Sequence, residues 1–182
     1  MMIPLGTDQD YLRGEQYKDS RNLGARAGLH QGFSTNTYGW QRWVFDQLEN
    51  LPPDAHARAR VVELGCGPGW LWRENVNRVP AGWHVTLTDL SPGMIAEAQA
   101  ALADSGRAFA FDVVDAQSLP YDDAALDAVV ANHMLYHVPD RHRALAEIAR
   151  ALKPGGRLIA ATNGAAHMQE LFDLIGRFIG DD

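Results

Sequence analysis

Val61-Val62-Glu63-Leu64-Gly65-Cys66-Gly67-Pro68-Gly69 is a short apolar run that leads directly into a turn with three glycines. The apolar part, Val61 to Leu64, has the length and composition of a β-strand that is buried on both faces. Glycines in the turn after such a strand let the backbone pass close to a ligand, and the helix that follows offers free N–H groups. We therefore predict a strand, a glycine-rich turn and a helix that together hold a ligand.

Strand-like and helix-like patterns alternate along the rest of the chain. The predicted strands are 61–64, 83–88, 108–114, 126–131 and 157–162, and the predicted helices are 70–79, 92–103, one that Asp140 caps, and 165–179. A helix at 37–50 precedes them, and the first 35 residues have the weak periodicity of a loose arm or short helices. This alternation predicts βαβ units, and hence an α/β fold with a doubly wound, mostly parallel Rossmann-like sheet of about five strands.

Composition and charge narrow the classes of function. The net charge of −7 argues against a nucleic-acid partner, since neutralising phosphates needs clustered Lys and Arg. The single cysteine, Cys66, excludes an intramolecular disulfide. Met1 to Asp10 lacks the pattern of a signal peptide, and no apolar run approaches the roughly 20 residues of a membrane span. We expect a cytoplasmic protein with no membrane contact.

The glycine spacing distinguishes between two nucleotide-type cofactors. A dinucleotide-binding fingerprint needs glycines at positions 65, 67 and 70, whereas the third glycine is Gly69 and position 70 is Trp70. An indole is a poor fit where a dinucleotide fold needs close packing of helix on strand, and Pro68 removes one N–H donor. The turn therefore disfavours NAD or FAD, and no Gly-Lys-Ser/Thr follows that would make a Walker loop.

The pattern Glu63-x-Gly65-x-Gly67-x-Gly69 after a hydrophobic strand resembles motif I of the class I S-adenosylmethionine-dependent methyltransferases. Three further landmarks fall in the order of that family: Asp89 ends the second strand, Asp115 follows the third, and Asn132 follows the fourth. Leu152-Lys153-Pro154-Gly155-Gly156 is similar to the family's turn before strand five. The likeness covers about residues 58 to 164, and points to the small-molecule type represented by ubiquinone and menaquinone C-methylation enzymes.

The resemblance implies a role for each landmark. Asp89 would accept hydrogen bonds from the ribose hydroxyls, Asp115 from the adenine amino group, although an ordinary turn also explains Asp115, and Asn132 would line the methionine end. The implied cofactor-binding set is Tyr11, Glu63, Gly65, Cys66, Gly67, Asp89, Leu90, Met94, Asp115, Ala116, Asn132 and His133.

His133 and His137 are the candidates for a catalytic base, because both lie at the carboxyl end of strand four. Their i, i+4 spacing also suits metal ligands on a helix. Pro139 would break such a helix, however, and the sequence offers no clear third ligand. We therefore expect no metal.

In that family the segment before the α/β domain forms a lid over the cofactor. The resemblance therefore divides the chain into an N-terminal arm and helical lid at 1–57 and an S-adenosylmethionine-binding α/β domain at 58–182. Tyr11 is the lid residue that we expect to reach the cofactor, because aromatic rings attract a sulfonium cation.

The implied reaction is methyl transfer from S-adenosylmethionine to a small organic acceptor, with S-adenosylhomocysteine as product. The Asn-Pro-Pro-Tyr motif of amino-group nucleic-acid methyltransferases is absent, which again favours a small-molecule acceptor over nucleic acid. Two alternatives stay open: a non-catalytic module that binds S-adenosylmethionine, and a less favoured NAD-dependent oxidoreductase. The sequence leaves open the acceptor and whether its O, N or C atom is methylated.

The chain departs from the family after strand five. Family members usually continue through another helix and an antiparallel pair of strands, whereas only 20 residues follow Thr162. The expectation is a fragment of a longer protein or a natural minimal version. The fifth strand would then be a sheet edge with unpaired backbone groups, which invites a homodimer through that edge.

Overall fold

A computed structural model describes residues 6–52, 57–164, 166 and 169–179. Its centre is a single sheet of five parallel strands in the order β3-β2-β1-β4-β5. The strands are β1 (Arg60–Leu64), β2 (His84–Asp89), β3 (Phe109–Val113), β4 (Leu126–Asn132) and β5 (Leu152–Ala161). The predicted doubly wound, parallel Rossmann-like sheet is confirmed, and its strand order reverses between the neighbours β1 and β4.

Helices connect and precede these strands. The α-helices are α1 (Gln9–Tyr11), α2 (Arg21–Phe33), α3 (Trp40–Leu48), α4 (Trp70–Asn75), α5 (Pro92–Leu102), α6 (Arg141–Ala151) and α7 (Gln169–Ile179). The described residues also form a π-helical turn at Leu12–Gln16 and 3₁₀ turns at Val76–Arg78 and Leu135–His137. Three predicted elements differ. The weakly periodic first 35 residues contain a 13-residue helix, α2, with both faces largely polar or small. Helix 70–79 ends as a 3₁₀ turn, and 37–50 shortens to α3.

Burial explains why β1 and β4 lie in the middle of the sheet. Four of the five β1 residues and six of the seven β4 residues are buried. On one face the core packs against α3, α4 and α5, and its largest fully buried side chain is Trp72. On the other face Val62, Leu64 and Val129 pack against α6. Helices on both faces leave the strand ends as the place for polar chemistry.

The start of β5 contains an irregularity where the sequence predicts a turn. Leu126 pairs with Leu152 and Ala128 already pairs with Arg157, so residues 153–156 loop out of the ladder. The Lys153 Nζ reaches both carboxylate oxygens of Asp127, at 2.8 and 2.9 Å. This ion pair fixes the loop, and regular pairing runs from Arg157, where the sequence predicted the strand to start.

Beyond β5, the described residues supply no sixth strand, so β5 is an edge of the sheet. The last helix, α7, starts at Gln169, and residues 165, 167 and 168 of the predicted helix lie outside the described residues. Its large apolar side chains are exposed, among them Phe172, Leu174 and Phe178. A homodimer through the edge stays a prediction. Within the described ranges, no helix has the length and apolarity to cross a membrane.

Candidate functional site

A cavity of about 170 Å³ opens at the carboxyl ends of the strands, beside the point where the strand order reverses. Its floor is the glycine turn after β1, and its walls are the residues that follow β2, β3 and β4. The predicted site residues that line it are Gly65, Gly67, Asp89, Leu90, Met94, Asp115, Ala116, Asn132, His133 and His137. Residues from four separate stretches of sequence thus meet at the location where α/β sheets bind ligands.

The glycine turn needs glycine for two different reasons. All three glycines have positive φ, at 66° for Gly65, 54° for Gly67 and 73° for Gly69, a region that costs other residues about 1–2 kcal/mol. A Cβ on Gly65 would lie 2.7 Å from the Cβ of Met134, whereas one on Gly69 would meet α5. The absence of a side chain at Gly65 therefore leaves room for Met134 at the floor of the cavity. The absence of one at Gly69 lets the turn pack against α5.

Asp89 holds the turn from the end of β2. Its Oδ2 accepts a hydrogen bond from the Gly67 N–H at 2.9 Å, and its Oδ1 accepts one from the Ser91 N–H at 2.9 Å. Burial raises the pKa of this carboxyl, although the two N–H donors oppose the rise. An ionised carboxylate can accept about four hydrogen bonds, so Asp89 has acceptor capacity left for hydroxyl groups of a ligand.

Asp115 occupies the matching position after β3. Its carboxylate accepts hydrogen bonds from the backbone N–H of Gln117 at 2.9 Å and from the side-chain amide of Gln9 at 3.0 Å. Burial works toward a higher pKa, but these donors outweigh it and hold the pKa of Asp115 below its ordinary value. Asp115 is thus poised as an anionic acceptor, and an amide of the N-terminal arm already lies on it.

Asn132 is the third polar side chain at the strand ends. Among the described residues, its buried Nδ2 and Oδ1 make no hydrogen bond of full geometry, although a hydrogen-bonding contact with Glu63 lowers the pKa of that acid. Buried amides in native proteins are almost always hydrogen-bonded, and an exception calls for an explanation. Asn132 lines the cavity, but its amide atoms are shut off from solvent, so a polar ligand reaches them only after the side chain rotates.

Three predicted site residues do not line the cavity. Glu63 points to the opposite face from its neighbour Leu64, as the two-residue period of a strand requires, and its Oε2 accepts a hydrogen bond from the Trp72 indole at 2.7 Å. Burial raises the pKa of Glu63 to about 8, against the indole bond, which lowers it. The Cys66 thiol faces the Gly67 carbonyl at 3.3 Å, and burial raises its pKa. The Tyr11 hydroxyl turns to Gln16.

The N-terminal arm, residues 6–20, covers the cavity. The sequence did not predict the contacts that hold the arm in this position. Gln9, Leu12, Arg13 and Tyr17 line the cavity from above. A Cβ on Gly93, at the start of α5, would lie 1.9 Å from the Lys18 carbonyl oxygen, so the missing side chain lets the arm lie flat on α5. Glycine in the first turn of a predicted helix was the only sequence signal for this contact.

His137 fastens the arm. Its Nδ1 lies 2.8 Å from the Gly6 carbonyl oxygen and its Nε2 lies 2.8 Å from the Tyr17 hydroxyl. A carbonyl oxygen only accepts, so Nδ1 carries the proton and, in the neutral ring, Nε2 accepts from Tyr17. Both nitrogens face the arm rather than a reacting group. This geometry favours a role for His137 in holding the arm, and leaves His133 as the stronger candidate for a base.

His133 is exposed at the mouth of the cavity. Its φ of 52° lies in the left-handed region, and its ring centroid is 5.2 Å from that of Trp40. Non-glycine residues in this region cluster at functional sites. Within the described residues, no group of three His, Cys, Asp or Glu side chains is placed to hold a metal ion.

Replacing Tyr17 by phenylalanine is expected to loosen the arm. One hydrogen bond contributes about 0.5–1.5 kcal/mol net, so the arm should open roughly 2 to 10 times more often. Hydrogen exchange of the amides between Gln9 and Gln16, followed by mass spectrometry, measures this opening. Tyr11→Phe is the matched control, because its hydroxyl makes only a 3.4 Å contact within the arm. Equal exchange in both variants would rule out the Tyr17–His137 bond as a fastening.

Comparison with known proteins agrees with the geometry. A family model described as a methyltransferase domain matches residues 62–160. The chain is 35% identical over 144 residues to the malonyl-(acyl-carrier protein) O-methyltransferase of Hahella chejuensis, across 79% of this chain and 49% of that protein. It is 32% identical over 133 residues to the ubiquinone/menaquinone biosynthesis C-methyltransferase of Bordetella avium, across 73% of this chain and 47% of that one.

Solved structures give the same result. The S-adenosylmethionine-dependent methyltransferase from Mesorhizobium loti superposes with a TM-score of 0.57 at 27% identity, covering 73% of this chain and 58% of that one. The chain spans about half the length of the curated relatives it matches. The family match extends over more than half of the 182 residues and includes the glycine turn, Asp89, Asp115 and Asn132, so the chain belongs to the methyltransferase domain family.

Proposed function

We propose that this chain binds S-adenosylmethionine in the cavity beneath the N-terminal arm and transfers its methyl group to a small organic acceptor. The observation that carries the proposal is the meeting of Asp89, Asp115 and Asn132 at the ends of three strands around the glycine turn. Two carboxylates and an amide in this order match the hydrogen-bonding groups of a ribose, an adenine and an amino-acid tail. Two relatives of this chain are named as an O-methyltransferase and a C-methyltransferase.

The residues present fit that cofactor. The two hydroxyls of a ribose need an anionic acceptor, which Asp89 supplies, and Asn132 lines the part of the cavity that an amino-acid tail would occupy. Gly65 and Gly67 leave room for the ligand to approach the backbone. When bound, S-adenosylmethionine supplies an activated methyl group on a positively charged sulfur.

The work left to the protein is to position groups and exclude water. Leu12 and Tyr17 cover the cavity, and the bonds of His137 hold them there. A neutral acceptor loses a proton as it is methylated, and His133, exposed at the mouth, is the side chain placed to take it. The acidic site and the net charge of −7 favour a small molecule over nucleic acid. We place the protein in the cytoplasm, where its single, buried cysteine stays reduced.

Replacing Asp89 by asparagine is expected to weaken the binding of S-adenosylhomocysteine by about 10- to 100-fold, which corresponds to roughly 1.4–2.8 kcal/mol. The amide keeps one acceptor and turns a donor toward either the Gly67 or the Ser91 N–H, so the turn loses a bond and the ligand loses an anionic acceptor. Isothermal titration calorimetry measures the affinity. Asp112→Asn, an exposed carboxylate on β3, is the matched control and should bind normally.

Two other functions make different predictions in the same calorimeter. A binding module would bind S-adenosylmethionine but would methylate no acceptor. An NAD-dependent oxidoreductase would bind NAD and neither sulfur compound, and that outcome would overturn the proposal. Binding of both sulfur compounds, but not NAD, excludes the oxidoreductase, and methylation of an acceptor then separates the enzyme from the binding module.

A further inference from the structure

The side-chain amide of Gln9 occupies a position on Asp115 that the proposed cofactor also needs. The Gln9 Nε2 donates to the Asp115 Oδ2 at 3.0 Å, and this is the one hydrogen bond of that side chain in the described part of the protein. A glutamine amide and the 6-amino group of adenine are both planar NH₂ donors. The arm therefore presents to Asp115 the same kind of group that adenine would present.

Asp115 has no acceptor position to spare. Its Oδ1 accepts from the backbone N–H and the side-chain amide of Gln117, at 2.9 and 3.0 Å, and its Oδ2 accepts from that amide and from Gln9, both at 3.0 Å. A carboxylate offers about four such positions. An arriving amino group must therefore displace one of these donors.

Of the two glutamines, Gln9 is the one that can leave. Gln117 is held at both ends of its amide, because its Nε2 donates to Asp115 and its Oε1 accepts from the Asp140 N–H at 3.0 Å. Gln9 begins α1, and the Asp8 side chain caps this helix by accepting from two of its backbone N–H groups. The helix therefore keeps its cap when the flexible Gln9 side chain rotates away.

The volume of the cavity also requires a side chain of the arm to move. The space beneath the arm measures about 170 Å³, whereas pockets that take a ligand of drug size measure roughly 300–1,000 Å³. The floor cannot move down, because Gly65 lies so close to Met134 that even a Cβ would not fit between them. Gln9 lines the cavity beside Asp115, so its rotation makes room at the end where adenine would lie.

We infer that Gln9 is a built-in competitor of the cofactor, and that its amide and the adenine amino group exchange places on Asp115. The inference rests on the proposed function and adds a residue that sets cofactor affinity. Because the Gln9 bond breaks whenever adenine binds, the affinity is lower than Asp115 alone would give. The arm stays in place during the exchange, since Leu12 is buried and Tyr17 is bonded to His137.

Isothermal titration calorimetry with S-adenosylhomocysteine tests the competition. Gln9→Ala removes the competing donor, so it should bind this ligand about 2- to 10-fold more tightly than the parent, the range that one hydrogen bond allows. Gln16→Ala is the matched control, because the Gln16 side chain bonds within the arm, to Tyr11. The control should bind the ligand as the parent does.

A ligand without the amino group separates competition from a general loosening of the arm. The analogue of S-adenosylhomocysteine in which hydrogen replaces the 6-amino group leaves Gln9 on Asp115. Gln9→Ala should therefore bind this analogue within two-fold of the parent. An equal gain with both ligands would show that the substitution only loosens the arm. Weaker binding of S-adenosylhomocysteine would show that Gln9 assists the cofactor, and either result would overturn the inference.

Nuclear magnetic resonance of the ¹⁵N-labelled parent gives a second measurement, which needs no variant. The side-chain NH₂ protons of Gln9 should exchange with water faster in the S-adenosylhomocysteine complex than in the free protein, and no faster in the complex with the analogue. Slower exchange with S-adenosylhomocysteine would contradict the inference. Failure of parent and Gln9→Ala alike to bind S-adenosylhomocysteine would overturn the proposed function and the inference with it. Normal binding without the gain would overturn the inference alone.

Discussion

Glu63→Gln is expected to stabilise the folded protein by about 3–5 kcal/mol at pH 8 and to leave its stability nearly unchanged at pH 4.5. The folded protein keeps the Glu63 proton up to a pKa of about 8, whereas the unfolded chain releases it near 4.5. Unfolding therefore releases a proton between these values. The free energy of unfolding falls by about 1.4 kcal/mol per pH unit across that interval and is constant again above it.

Glutamine imitates the protonated acid and removes this dependence. Its carbonyl oxygen can still accept the Trp72 indole bond, and its amide takes the place of the carboxyl group that Asn132 contacts. Urea unfolding at pH 5, 6, 7 and 8 measures the free energy of unfolding of variant and parent. The contributions of other titrating groups are the same in both proteins and cancel in the difference. Glu15→Gln, an exposed acid, is the control and should follow the parent. Parallel curves for Glu63→Gln and the parent would show that Glu63 is ionised in the folded state.

Gly65→Ala is the second change with a large expected effect. The substitution places a methyl group in the left-handed region and 2.7 Å from the Cβ of Met134. Backbone strain of about 1–2 kcal/mol and overpacking of about 1–3 kcal/mol together predict a loss of roughly 2–5 kcal/mol in the free energy of unfolding. The turn can relieve this steric clash only by moving into the cavity. Binding of S-adenosylhomocysteine should therefore weaken at least ten-fold.

Gly106→Ala separates the two contributions. Gly106 has a φ of 68°, close to that of Gly65, but a Cβ there meets nothing within 4 Å. It should therefore lose only the strain energy and bind the ligand normally. Shortening the neighbour by Met134→Ala should rescue Gly65→Ala only in part, since it removes the Cγ contact at 2.9 Å but keeps the Cβ at 2.7 Å. Equal unfolding energies for Gly65→Ala and Gly106→Ala would contradict the close approach.

The sheet and most of the site floor could be predicted from the sequence because their signals are local. A buried strand, its glycine turn and the polar residue after each strand lie within a few positions of one another, as at Gly65 and Asp89. The motif implied that Glu63 binds the cofactor. The two-residue period of the strand instead turns its side chain away from the cavity, toward Trp72. The cofactor was predicted from the family resemblance, and Asp115 and Asn132 were predicted from their positions after the third and fourth strands.

The resemblance predicted a lid, but the contacts that hold it could not be predicted, because they join residues with no common pattern. Gln9 and Asp115 are separated by 106 positions, and Tyr17 and His137 by 120. Neither pair is hydrophobic or periodic, so no rule of spacing relates its members. The exposure of Trp40 and Trp43 was hidden for a similar reason, since helical periodicity alone does not say which aromatic residues are left outside the core.

The same separations have a consequence for how the chain folds. The arm precedes the sheet in the chain, yet its partners Asp115 and His137 are brought into position only when β3 and β4 have formed. Closing so long a loop costs entropy that a few polar contacts repay only once the sheet is in place. We therefore expect the sheet to assemble first and the arm to dock in a late, separate step, so that a folding intermediate with an open ligand cleft precedes the native state.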